Sequence, residues 1–204
     1  ANILPPPDGE GADIASLQRL LRDWAAKHQA AAEKFNVIVG FGYDDSQLKE
    51  QRHPTRDELD QVSSTLPVVI VHQSGHLGVM NSKALEIVGF TAGSKDPEGG
   101  VIRRKKGGTE PDGVLEETAF QGSVGKLFAK IGPAEGGAIL KAGTELYAKY
   151  GYTTAQEGRA TAGMIAIESA VARQGGLKID IAVYPDISAA ADTIKAPLLS
   201  RTYT

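Results

Sequence analysis

Four short apolar runs set the frame of this chain. Residues 37–43, 68–72, 152–156 and 178–184 are strand-like, and segments with helical patterns separate them. Strands that alternate with helices imply parallel βα units, because parallel neighbours need a long crossover. Connections of this length favour right-handed crossovers. The order reads helix, strand, helix, strand, helix, excursion, helix, helix, strand, helix, strand, helix. The expected fold class is therefore α/β, built of parallel βα units.

The connecting segments carry their own signals. Residues 1–13 hold Pro5-Pro6-Pro7 and Asp8-Gly9-Glu10-Gly11, an extended lead-in. Leu17, Leu20, Leu21, Trp24, Ala25 and His28 recur at helical spacing, so one helix is expected over 14–35, with Trp24 and His28 facing the core. Thr55 and Glu58 form a capping box for a short helix, and Asn81 is placed to cap another through Val88. Residues 91–115 are rich in glycine and read as a hairpin or folded excursion, with strand pieces at 100–103 and 112–115. An insertion of that size is usually a lid or binding loop. Helices are expected over 116–131 and 133–150, with Pro133 in the first turn and Gly151 ending the second. A helix over 161–174 stops at Gly175-Gly176, and a last helical stretch starts near Ser188.

Composition removes several classes of function. Hydrophobic residues are 41% and charged residues 23%, which suits a globular chain. A formal net charge of -3 gives no electrostatic case for nucleic acid. The one basic cluster, Arg103-Arg104-Lys105-Lys106, reads as a solvated loop tip. Without cysteine, disulfides and thiolate metal sites are excluded, in keeping with a reducing, cytoplasmic setting. No apolar run approaches the roughly 20 residues that span a bilayer, and no signal-peptide pattern opens the chain. The start at Ala1 and the stop at Thr204, just after strand and helix patterns, suggest a piece of a longer polypeptide.

The run Val68-Val69-Ile70-Val71-His72 ends on a histidine, and Gln73-Ser74-Gly75 then presents His76. The carboxyl ends of strands are where α/β proteins bind ligands. His72 and His76 are spaced i, i+4, but Ser74-Gly75 opposes a helical metal pair. Both can line one cleft, or His72 can serve the core and His76 the loop. Glu157 follows a strand-like run, where a carboxylate can ligate a metal or act as a general base. The alternative is a helix-terminal charge paired with Arg159. Asp44 and Asp45 follow the run at 37–43 and read as turn caps. The Gly99-Gly100 and Gly107-Gly108 pairs do not fit a nucleotide motif, and no nucleophile elbow is present.

Six segments together resemble one family. They are Gly40-Phe41-Gly42-Tyr43-Asp44, Arg52-His53-Pro54-Thr55-Arg56-Asp57-Glu58-Leu59-Asp60, and Pro67 through Leu85 with its Ser74-Gly75-His76 and Asn81-Ser82-Lys83-Ala84-Leu85. Further on come Asp96-Pro97-Glu98-Gly99-Gly100-Val101-Ile102, Pro111-Asp112-Gly113-Val114-Leu115-Glu116, and Gly151-Tyr152-Thr153-Thr154-Ala155-Gln156-Glu157-Gly158. In this order they resemble the amidohydrolase-3 branch of the metal-dependent amidohydrolases, whose relatives include N-substituted formamide deformylases.

The resemblance implies a (β/α)₈ barrel of the TIM type with a divalent metal, usually zinc, at the carboxyl ends of its strands. It implies hydrolysis of C–N bonds in small amide-type substrates by metal-activated water, with an aspartate moving the proton. Residues 1–204 would then be one partial barrel domain holding about four of eight strands. The family's His-x-His pair is missing from the sequence and would precede Ala1; its lysine, later histidines and aspartate would follow Thr204. The isolated chain is therefore expected to lack a complete active site and to be inactive alone. From this resemblance Glu157 is a possible metal ligand, and His76, Asn81 and His72 line the active site. A half barrel would leave sheet edges open, so self-association or pairing with the missing half is expected. The competing reading is a non-catalytic α/β domain in which His72, His76 and Glu157 gather an anion or a metal.

Overall fold

The computed structural model describes residues 1–128 and 131–187. Two compact units divide the chain, the first over Ala1–Lys130 and the second from Ile131. The helical stretch expected near Ser188 lies outside the described residues.

The first unit opens with the lead-in, which is not loose. Ile3 is completely buried, and its N–H donates to the carbonyl of Phe41 while the Phe41 N–H donates to that of Ala1. Helix α1 (Ile14–Lys27) starts at Asp13, whose carboxylate accepts the Ser16 N–H at 2.7 Å. The helix expected over 14–35 breaks at His28, and α2 (Gln29–Phe35) resumes after it. His28 is exposed, stacks on Trp24 with ring centroids 4.9 Å apart, and sets its Nδ1 against the Trp24 carbonyl. It closes the end of α1 instead of entering the core.

Strand β1 (Ile38–Tyr43) leads through α3 (Arg56–Asp60) to β2 (Val68–His72), and the two strands pair in parallel. At the expected capping box the Glu58 carboxylate accepts the Thr55 N–H at 2.8 Å and the Thr55 hydroxyl at 3.0 Å. After β2 the chain turns straight back as β3 (Leu77–Met80), antiparallel to it, before α4 (Ser82–Val88) begins at Asn81. Strands β4 (Gly100–Arg104) and β5 (Pro111–Glu117) form the expected hairpin, which docks on β3. The sheet order is β1-β2-β3-β5-β4. Only β1 and β2 run parallel within it, so parallel βα units alone do not describe this unit. The signal for β3 was weak because four residues are too short to show alternation, and Gly78 gives no side chain to read.

Two apolar layers sandwich this sheet. Val68 and Ile70 join Leu17, Leu21, Ile38 and Leu59 on one face. Val69 joins Met80, Leu85, Leu115 and Phe120 on the other, where α5 (Thr118–Leu127) packs. A strand covered on both faces reads as an unbroken apolar run, as 68–71 does. Three of the four residues of the basic cluster are held by partners: Lys105 Nζ meets the Asp57 carboxylate at 2.6 Å, Arg103 pairs with Glu116, and Arg104 donates to the Ser94 carbonyl at 2.7 Å.

The second unit contains α6 (Pro133–Lys149), β6 (Thr154–Ala160), α7 (Ala162–Arg173) and β7 (Asp180–Pro185), with β6 and β7 parallel. Pro133 stands in the first turn of α6, and Gly151 follows its end at φ +84°. This unit is the βα pattern expected from the sequence. Among the described residues no helix is long and apolar enough to cross a membrane.

Candidate metal centre

The polar cluster follows from the parallel pairing of β1 and β2. Parallel neighbours end on the same side of a sheet, so the residues leaving β1 meet those leaving β2. The register shifts between Phe41 and Tyr43, which pairs Tyr43 with His72, and the Gln73 N–H donates to the Tyr43 carbonyl at 2.9 Å. Asp44 and Asp45 thereby come to face His72. The loop after them returns His53 to the same place, with its Nδ1 3.1 Å from the Tyr43 hydroxyl and 3.6 Å from an Asp45 oxygen.

Asp44 is nearly enclosed and well held. Its Oδ1 accepts from the Ser46 N–H at 2.9 Å and the Ser46 hydroxyl at 2.8 Å, and its Oδ2 accepts from the Gln47 and Gln73 amides. Burial alone raises its pKa; the bonds from Gln47 and Ser46 outweigh that and hold the carboxyl below its ordinary value. Burial lowers the pKa of His53, which favours neutral imidazole. Burial, reinforced by the Asp45 charge, pushes the Tyr43 hydroxyl far above its ordinary range. The Arg103–Glu116 pair on the β4–β5 hairpin adds its field at both Tyr43 and His53.

His72 is the centre of the group. Its Nδ1 accepts the Ser74 backbone N–H at 3.1 Å and lies 2.9 Å from the Ser74 hydroxyl. Its Nε2 is buried, has no hydrogen-bond partner, and faces Asp45 Oδ1 at 3.4 Å and Asp44 Oδ1 at 3.6 Å. Among the described residues, Asp44, Asp45 and His72 form the group of at least three side chains whose ligand atoms lie within 4.8 Å of one another.

The residues singled out from the sequence go to different places. His76 is exposed and directs Nδ1 to Glu117 at 2.9 Å, while the Glu117 N–H donates to the His76 carbonyl at 2.8 Å. Glu117 adopts φ +49°, an unusual conformation for a residue with a side chain. Asn81 is fully buried, and the fold occupies its whole amide. Its Oδ1 accepts from the N–H groups of Val68 and Ala84, and its Nδ2 donates to the carbonyls of Ser63 and Leu66. Glu157 lies inside β6, which continues to Ala160, so it does not mark the strand's end. It accepts the Arg159 N–H at 3.1 Å, while the Arg159 guanidinium pairs with Asp186. The residue types of a multi-ligand site surround His72, not Glu157. The sequence pattern marks Asp44 and Asp45 as turn caps, which Asp44 also is, and nothing local distinguishes His53 within its motif. The usable signal was that consecutive parallel strands each exit onto a titratable residue.

Comparison with known proteins adds the family. A sequence model of the Amidohydrolase family matches residues 1–202. The N-substituted formamide deformylase of Arthrobacter pascens is 42% identical over 82 residues, 40% of this chain and 15% of that protein. The putative amidohydrolase YtcJ of Bacillus subtilis (strain 168) is 30% identical over 95 residues, 47% of this chain and 18% of that protein. The protein LONG AFTER FAR-RED 3 of Arabidopsis thaliana is 37% identical over 68 residues, 33% of this chain and 12% of that protein. In fold, an uncharacterized metal-dependent hydrolase from Pyrococcus horikoshii OT3 aligns with a TM-score of 0.58 at 19% identity, over 95% of this chain and 34% of that one. A second such hydrolase, from Pyrococcus furiosus, aligns with a TM-score of 0.56 at 19% identity over 90% of this chain and 34% of that one. The chain thus spans about a third of its structural neighbours, and the matched segments span under a fifth of the curated relatives.

Proposed function

The chain belongs to the amidohydrolase family, and from that premise we propose that it is part of a metal-dependent hydrolase that cleaves C–N bonds in small, non-peptide amide-type substrates. The match over residues 1–202 carries the reading. The relative that shares 42% identity is named for deformylation of N-substituted formamides, which supports this substrate class. A divalent metal, zinc by the family's habit, supplies an activated water and polarises the carbonyl. The donor set usual for that chemistry includes a His-x-His pair, which this sequence does not contain. Glu157 belongs to no group of three ligand side chains among the described residues, so these residues alone do not build that centre. No hydrolytic step is therefore routed through it.

Under this reading residues 1–204 form about half of a TIM-type barrel domain, and other segments of the same cytoplasmic protein complete the catalytic centre. The chain alone then lacks turnover and either self-associates or pairs with the remainder of the barrel. The test compares the product of the full gene, loaded with zinc, against the purified 204-residue chain on a panel of N-substituted formamides, with formate release as the readout. Formate release by the full product and none by the chain is expected. Release by the chain alone overturns the division of the active site, and no release of formate or amine by the full product overturns the substrate class.

A further inference from the structure

We propose that Asp44, Asp45 and His72 form a binding site for a divalent first-row transition-metal ion at the adjoining ends of β1 and β2. The proposal does not depend on the hydrolase reading, because every ligand lies within the first unit and none belongs to a His-x-His pair.

Distance is the first argument. A neutral or charged N–H···O bond has its heavy atoms at about 2.7–3.2 Å. The His72 Nε2 separations of 3.4 and 3.6 Å from the two carboxylate oxygens are too long for that. They match ligands that share an ion: bonds of about 2.0–2.2 Å in a tetrahedron put neighbouring ligand atoms about 3.3–3.6 Å apart. Satisfaction is the second argument. Buried polar atoms nearly always have a partner, yet the Nε2 of His72 is shielded from solvent and has none. The atom aimed between the two carboxylates is the atom left without a hydrogen bond.

The surroundings fit the donor role. A histidine that ligates through Nε2 carries its proton on Nδ1 and gives it to a fixed acceptor. In the metal-free protein the Ser74 N–H donates to Nδ1 at 3.1 Å, which places the ring proton on Nε2; an ion bound at Nε2 moves that proton to Nδ1, where the Ser74 hydroxyl, 2.9 Å away, accepts it. Asp44 is oriented by Ser46, Gln47 and Gln73, so its oxygens are held in place before an ion arrives. Asp45 is one-third exposed, which leaves a route from solvent and room for water to complete the coordination. One imidazole with two carboxylates suits zinc or manganese, whereas magnesium and calcium sites are built of oxygen. Bound there, the ion ties the turn that follows β1 to the end of β2.

The experiment titrates the metal-free 204-residue chain with Zn²⁺ by calorimetry and with Co²⁺ by visible absorption. One equivalent is expected to bind, with the cobalt bands of a four- or five-coordinate N/O site. Asp45→Asn should weaken binding at least tenfold; it is the mildest variant, since the hydrogen bonds that hold the turn come from Asp44. His76→Ala, which touches only the Glu117 pair, should leave binding unchanged. A second readout needs no variant: long-range ¹H–¹⁵N spectra should show the His72 proton on Nε2 in the metal-free chain and on Nδ1, with the Nε2 resonance displaced, when Zn²⁺ is added. No binding, binding indifferent to Asp45→Asn, or an unmoved His72 resonance overturns the site. Formate release by the full gene product bears only on the hydrolase reading, so the two proposals fail separately.

Discussion

Replacing Asn81 by alanine tests whether this residue builds the fold or meets a substrate. Its amide closes four bonds at once, linking the start of β2, the first turn of α4 and the loop at 63–66. Loss of the cap on α4 costs about 1 kcal/mol. The Val68 N–H becomes a buried donor without a partner, at about 1–3 kcal/mol. The carbonyls of Ser63 and Leu66 are only partly buried and recover most of their loss from water. The sum is about 3 kcal/mol, a large share of the roughly 5–15 kcal/mol that holds a typical domain. With a urea slope of about 2 kcal/mol/M, the midpoint should fall by about 1.5 M. Trp24, the single tryptophan, packs against the core of the same unit, so its fluorescence reports this transition. A midpoint shift under about 0.3 M would show that the amide contributes little to the fold and would return Asn81 to the list of ligand contacts. Asn81→Asp keeps both acceptor bonds but sets a carboxylate oxygen against two carbonyls, and it too should destabilise.

Gly113→Ala should cost more than about 2 kcal/mol: the residue sits at φ +107°, and its added Cβ would lie 2.7 Å from both the Arg56 nitrogen and the Met80 carbonyl oxygen. Chemical denaturation of the variant checks it, and a loss under about 0.5 kcal/mol would mean the backbone there relaxes freely. Ile70→Ala, at a fully buried position in the interior strand β2, should lose about 2–5 kcal/mol by the same measurement. The Arg52 guanidinium, bonded to Glu58 at 2.7 Å, holds that carboxyl below its ordinary value of 4.5. A depressed folded pKa gives stability that is present above 4.5 and lost as pH falls through the folded value. The stability gap between the wild type and Arg52→Ala should therefore narrow on acidification below 4.5, and a gap that widens there would refute the pairing.

The local pattern of the sequence carried much of the fold and little of the site. Runs covered on both faces, such as 68–71, announce an interior strand, and the N-caps at Thr55 and Asn81 and the first-turn Pro133 mark helix starts. These are short-range effects, written within a few positions. What stayed hidden was long-range. The return of the chain at Gln73-Ser74-Gly75 could lead equally to a helix or to a strand, and the strand is held by long-range pairing of β3 with β2 and β5, with Gly78 packed against Phe120. Asn81 shows the same limit from the other side: its capping was legible, whereas the three further bonds that occupy its amide depend on segments up to 18 residues away.

The cluster at His72 joins these two scales. Nothing local marks Asp44 and Asp45 as more than the polar end of a strand, and nothing local marks His72 as more than the end of the next. The parallel register that sets Tyr43 beside His72 makes them neighbours across about thirty residues of sequence. An antiparallel pairing would have sent the same groups to opposite edges of the sheet. Two consecutive strands that each exit onto a metal-capable side chain are thus a stronger signal than either alone, provided the segment between them is a crossover. Here that segment contains α3, which makes the pairing parallel, and the unpartnered Nε2 of His72 lies where the two exits meet. The histidine spacing inside one turn, His72 to His76, draws the eye first, yet the two rings take different partners: His76 turns to Glu117 and His72 to the carboxylates from the neighbouring strand.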